Sequence, residues 1–135
     1  MPERRDRGLL DTSVVIDLES VDADALPRQL CISTITLAEL AAGPHATTSA
    51  TERARRQDRL QRVEAMFDPL PFDADAARAY GRIYAAVASG GRKARGARAV
   101  DLLIAAVALA NAIPVYTRNA DDLRALDALI DVVAL

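Results

Sequence analysis

Three acidic residues stand alone in otherwise apolar stretches of this chain. Asp11 is the only charge between Gly8 and Ile16, and Asp101 is the only one between Ala99 and Thr117. Glu39 is the only Asp, Glu, Lys or Arg between Leu30 and Thr51. A carboxylate in an apolar segment is costly to bury unless it finds a partner. The run Thr117-Arg118-Asn119-Ala120-Asp121-Asp122 adds a fourth candidate position, Asp122 or Asn119. Each also has a purely structural reading. Asp11 and Asp101 fit helix caps worth ~1 kcal/mol, Glu39 fits the partner of a buried Arg, and Asn119 with Asp122 fits a cap and its first-turn acid.

Gathered in one place, the acids would do more than cap helices. At ~5 Å and an effective dielectric constant of ~20, two carboxylates repel by about 3 kcal/mol. Either their pKa values rise or a cation neutralises them. One Cys and one His, Cys31 and His45, exclude a His/Cys zinc cluster and an internal disulfide. Oxygen donors alone suit Mg²⁺ or Mn²⁺. Such ions share their sites with phosphates and activate water at a phosphodiester.

The elements that must position these residues alternate between apolar β-type runs and helices. The pattern predicts strands over 8–12, 30–34 and 115–117, and an apolar run over 132–135 closes the chain. Residues 67–72 make at best an edge strand, because Pro69 and Pro71 interrupt them. Helices are expected over 14–18, 36–42, 101–111 and 120–129. Two longer ones begin at Ser49, which with Glu52 makes a capping box, and at Asp73, with Gly90-Gly91 ending the second. Tyr80 and Tyr84 recur at helical spacing and are expected in the core. The class is α/β: a central, mostly parallel sheet of about five strands with helices on both faces. In such sheets ligands bind beyond the carboxyl ends of the strands, where Asp11, Glu39, Asp101 and the 117–122 run would meet.

The 135 residues make one domain, preceded by a charged segment over 1–7. A net charge of −2 argues against a protein that coats nucleic acid by bulk charge, and 51% hydrophobic residues argue against disorder. No stretch reaches the ~18 apolar residues of a membrane span, and the charged start is not that of a signal peptide. A cytoplasmic protein is expected.

Leu9-Leu10-Asp11-Thr12-Ser13, Thr36-Leu37-Ala38-Glu39-Leu40, Asp101-Leu102-Leu103-Ile104-Ala105-Ala106 and Thr117-Arg118-Asn119-x-x-Asp122, in that order and spacing, resemble the PIN-domain ribonucleases. Within them the chain is most similar to the VapC toxins of bacterial type II VapBC toxin–antitoxin pairs, over nearly its whole length. The resemblance implies a PIN-like fold and an Mg²⁺- or Mn²⁺-dependent endoribonuclease. It maps Asp11 and Asp101 onto the principal metal-binding acids, Glu39 onto an acid that holds metal or orients water, and Asp122 or Asn119 onto the fourth site. Thr117, with Thr12 or Ser13, matches hydroxyl positions that line the site. It further implies a homodimer and a VapB antitoxin that occludes the acidic pocket, with operator DNA contacted only through the antitoxin. The chain departs from the pattern at Asn119, acidic in some relatives, and at Leu123, often Phe.

Arg92, Lys93, Arg95 and Arg98 lie just before Asp101, placed to meet RNA phosphates. Arg53, Arg55, Arg56, Arg59 and Arg62 form a second basic stretch, which fits RNA, an antitoxin or simple solvation. A non-catalytic PIN-like module that binds RNA or protein is the alternative. A haloacid-dehalogenase-type phosphatase is a weaker one, since Ser13 stands where its second Asp is required. A P-loop is excluded because Ala97-Arg98 replaces Lys-Ser/Thr.

Overall fold

The computed structural model describes residues 4–91 and 98–135. Four short strands form one sheet: β1 (Arg7–Leu10), β2 (Gln29–Cys31), β3 (Val115–Thr117) and β4 (Val132–Ala134). Their order is β2-β1-β3-β4, and every pairing is parallel. The helices are α1 (Thr12–Ile16), α2 (Thr34–Ala42), α3 (Ala50–Met66), α4 (Ala74–Ser89) and α5 (Ala99–Ala110).

Successive strand residues point to opposite faces, and both faces are covered. Leu9, Cys31 and Val115 join α4 and α5 in one core with Ile83, Ile104 and Val107. Leu10, Ile32 and Tyr116 join α1, α2 and α3 in the other with Val14, Leu40 and Val63. Helix α5 is buried along most of its length, which is why it is apolar on nearly every side. No described helix is long and apolar enough to cross a membrane.

The parallel sheet with helices on both faces is as expected; among the described residues it has four strands, against about five expected. Other details differ. Residues 67–72 contribute a single bridge, Ser33 to Leu70, because the flanking prolines cannot donate to a ladder. The segment after β3 is a 3-10 helix, Ala120–Leu126, not an α-helix to 129. Only half of the capping box forms: Ser49 Oγ accepts from the Glu52 N–H at 3.2 Å, while the Glu52 carboxylate is drawn to Arg55 and Arg56. Tyr80 packs on the core, but Tyr84, one turn on, is 60% exposed.

Of the charged start, residues 4–7 are described and are tied to the body of the domain. Strand β1 begins at Arg7, Arg4 Nε donates to the Leu26 carbonyl at 2.9 Å, and Arg5 pairs with Asp131 at 2.6 Å.

Candidate active site

Asp11 follows the last residue of β1, and its N–H donates to the Tyr116 carbonyl on β3 at 2.9 Å. That bond carries the β1–β3 register one step past Leu10–Tyr116 and sets Asp11 beside Thr117. The carboxylate is 4% exposed and accepts from three donors. The Thr12 N–H reaches Oδ1 at 2.9 Å, so Asp11 does cap α1. Thr117 Oγ1 reaches Oδ2 at 2.9 Å and Ser13 Oγ at 3.2 Å.

Those two hydroxyls also tie down the next loop. Thr117 Oγ1 accepts from the Asn119 N–H at 3.0 Å, and Ser13 Oγ accepts from the Arg118 N–H at 3.4 Å. Each hydroxyl thus passes its own proton to Asp11 while holding a loop amide.

Even so, burial pushes the Asp11 carboxyl above its ordinary range, and the negative charge of Asp101 pushes the same way. The bonds from Thr117, Thr12 and Ser13 only partly offset them. Asp101 lies in the first turn of α5, 8% exposed, one turn in from Arg98 at the N-cap. It is therefore no cap; it faces inward. Arg98 meets it with two 3.3 Å bonds, Nε to Oδ2 and Nη2 to Oδ1. The bond to Asp101, with the fields of Asp101, Glu39 and Asp11, holds Arg98 still more firmly protonated.

Glu39 projects from α2 and accepts from Thr12 Oγ1 at 2.6 Å. Thr12, expected to line the site through its hydroxyl, is 7% exposed, and that hydroxyl meets Glu39 and Thr36. Thr36, one turn before Glu39 on α2, has no role by its sequence position; its place beside Thr12 comes from the packing of α1 on α2.

Asp122 is half-buried in the 3-10 helix, where its N–H donates to the Asn119 carbonyl at 3.0 Å. No hydrogen bond among the described residues joins its carboxylate to Asp11, Glu39 or Asp101. Arg118 is turned to Asp17 at 3.7 Å. Arg92, Lys93 and Arg95 lie outside the described residues; Arg98 does stand at the mouth of the site.

The donors are oxygens throughout, which fits a hard divalent cation, and the raised Asp11 pKa marks a carboxylate whose burial the surrounding donors only partly compensate. Among the described residues no three acidic, His or Cys groups already converge on one point. Among the described residues the acids do not form a finished coordination shell.

A PIN-domain family profile matches residues 8–129. The chain belongs to the PIN-domain family. It is 41% identical over 128 residues to ribonuclease VapC5 of Mycobacterium tuberculosis, covering 93% of this chain and 91% of that one. In three dimensions it is similar to a VapBC-5 toxin–antitoxin structure from the same species. The TM-score there is 0.83 at 38% identity, over 96% of this chain and 99% of that one. It is also similar to FitAcB from Neisseria gonorrhoeae, with a TM-score of 0.68 at 27% identity, over 93% and 95% of the two chains.

Proposed function

We propose that this chain is a VapC-type toxin: a cytoplasmic, metal-dependent endoribonuclease that hydrolyses RNA phosphodiesters and is neutralised by a VapB-type antitoxin. The observation that carries the reading is the buried Asp11, bonded to Thr117, Ser13 and Thr12 and within the field of Asp101, at the carboxyl ends of two adjacent parallel strands. The similarity to a ribonuclease over nine tenths of both chains supports it.

Mg²⁺ or Mn²⁺ held by Asp11 and Asp101, with Glu39 and either Asp122 or Asn119, would supply water activation and charge neutralisation at the scissile phosphate. The protein's own contribution is orientation. Thr117 and Ser13 hold Oδ2 of Asp11 still, and Thr12 does the same for Glu39. Arg98, with 69% of its side chain exposed, can turn from Asp101 to an RNA phosphate once a cation takes over the charge of Asp101, whose side chain is only 10% exposed. Incubating the free protein, with Mg²⁺ and separately with Mn²⁺, with matched single-stranded RNA and DNA pools tests the reading. Discrete cuts in RNA alone are expected; intact RNA in every metal would move the assignment to a binding module.

Of the second basic stretch, Arg53 and Arg56 bond the carbonyls of the 43–47 turn, and Arg55, Arg59 and Arg62 line another surface. A groove of about 340 Å³ runs between α1 and α3, with Val15, Ile16, Val63 and Met66 in its lining and Arg55, Arg59 and Arg62 beside them. An apolar floor with a rim of Arg55, Arg59 and Arg62, where Glu19 meets Arg62 at 2.9 Å, complements an amphipathic helix that carries acidic residues, and we assign it to the antitoxin. Two copies of the toxin are proposed to assemble as a homodimer. Met66 is 66% exposed, so Met66→Glu costs the fold little. It is expected to weaken antitoxin binding by about tenfold, the effect of placing like charge in a small apolar contact. Cleavage by the free toxin stays unchanged. Calorimetric titration of parent and variant measures it.

A further inference from the structure

Glu39 receives one side-chain hydrogen bond among the described residues, from Thr12 Oγ1 at 2.6 Å. A hydroxyl has one proton to give, and Thr12 gives its proton to the carboxylate. The 2.9 Å contact between Thr12 Oγ1 and Thr36 Oγ1 must then be filled by the Thr36 proton. The order is set: Thr36 donates to Thr12, Thr12 donates to Glu39, and the carboxylate ends the chain. Hydrogen bonds in such a series polarise and strengthen one another.

Resting on the nuclease reading above, we infer that Thr36 is a positioning residue for the acidic site, acting through Thr12 to fix the direction of the Glu39 carboxylate. It touches neither substrate nor the reacting atoms, because it is fully buried. A threonine inside a helix often returns its proton to a carbonyl one turn back. Among the described residues Thr36 Oγ1 makes no such bond. Its backbone is firmly held, with its N–H donating to the buried Ser33 Oγ at 3.1 Å at the start of α2. The Phe72 N–H bonds to Thr34 Oγ1 at 3.2 Å and secures the same turn. A rigid donor on α2 therefore sets the rotor of a residue on α1, which in turn holds an acid back on α2. Without Thr36, the Thr12 hydroxyl would lose the partner that fixes its orientation.

Thr36→Val keeps the shape and removes the hydroxyl; Thr36→Ser keeps the hydroxyl. Three quantities are measured on each purified protein: Mn²⁺ affinity by calorimetry without RNA, kcat and KM on an RNA oligonucleotide, and Tm. Thr36→Val is expected to lose about tenfold in Mn²⁺ affinity and in kcat, the usual effect of removing a partner that orients a metal-site carboxylate. KM is expected to stay near the parent's, and Thr36→Ser to recover both losses. In a Glu39→Gln background, Thr36→Val should add less than about twofold, since both changes act on one group.

Parental Mn²⁺ affinity and kcat in Thr36→Val would overturn the inference. So would an equal loss in the Glu39→Gln background, or a loss that Thr36→Ser does not restore. If Thr36→Val does not fold, Thr12→Val with Thr36 intact breaks the next link, and unchanged Mn²⁺ affinity there overturns the inference as well. A parent that neither binds Mn²⁺ nor cuts RNA removes the nuclease reading and the relay together. A parent that does both beside an indistinguishable Thr36→Val removes the relay alone.

Discussion

Asp11→Asn is expected to lower RNA cleavage by at least about a hundredfold, the scale of losing one fixed electrostatic group in a site, while the protein becomes harder to melt. The two effects have one cause. Asp11 is 4% exposed, and burial together with Asp101 raises its pKa above the ordinary 3.8. Between 3.8 and the raised value the folded protein holds more protons than the unfolded chain, so stability falls as pH rises through that window. Above it the full penalty persists. Asparagine carries no charge and can still satisfy the site. Its carbonyl accepts from the Thr12 N–H, and its NH₂ donates to the Ser13 and Thr117 oxygens, each of which keeps its loop amide on the other lone pair. The displaced hydroxyl protons are a smaller cost than the buried charge.

Calorimetry in EDTA should therefore show Asp11→Asn melting on the order of 3 °C above the parent at neutral pH, the shift for about 1 kcal/mol in a chain of this size. The difference should close as pH falls through the raised pKa, because the parent then neutralises its own carboxyl. Asp11→Ala should behave oppositely. It strands three donors without an acceptor and should lose about 1–3 kcal/mol. An Asp11→Asn protein less stable than the parent at neutral pH would mean that the carboxylate is well compensated, contrary to the geometry.

Gly8→Ala is expected to destabilise the fold by about 2–3 kcal/mol, as overpacking of a tight core does. Gly8 lies in β1, and a Cβ there would stand 2.7 Å from Tyr116 Cδ1 and 2.9 Å from Pro27 Cγ. Tyr116 is 3% exposed and Pro27 is fully buried, so neither can swing aside. The site would feel the change too, since the Tyr116 carbonyl fixes the Asp11 N–H and Thr117 is the next residue. Urea titrations of Gly8→Ala alone and with Tyr116→Val check the cause. The second change makes room, so the pair should be more stable than the sum of the two single losses allows. Strict additivity would place the strain elsewhere.

The parts legible in the sequence were those with a local signature. Asp11, Glu39 and Asp101 could be singled out because each is the only charge in an apolar segment, and the strand–helix alternation placed them at one end of a parallel sheet. Asp73 at α4 and Ser49 at α3 were readable as caps for the same reason, and both accept the N–H three residues on. What depended on packing between distant elements was not legible. Thr12 and Thr36 are 24 residues apart, and only the meeting of α1 and α2 shows that their hydroxyls pair. The bond from Arg98 to Asp101 follows from where α5 starts, two residues earlier than its apolar pattern suggested. Tyr84 shares helical spacing with Tyr80 and Ile83, yet the helix face turns it outward.

The most direct test of the central claim is a cleavage assay on a mixed RNA pool, with sequencing of the cut ends. Parent and Asp101→Asn would be run side by side in Mg²⁺, in Mn²⁺ and in EDTA. The account predicts discrete cuts by the parent in either metal, bearing 5′-phosphate and 3′-hydroxyl ends, with none in EDTA and none from folded Asp101→Asn. Cleavage by Asp101→Asn at the parental rate would contradict it.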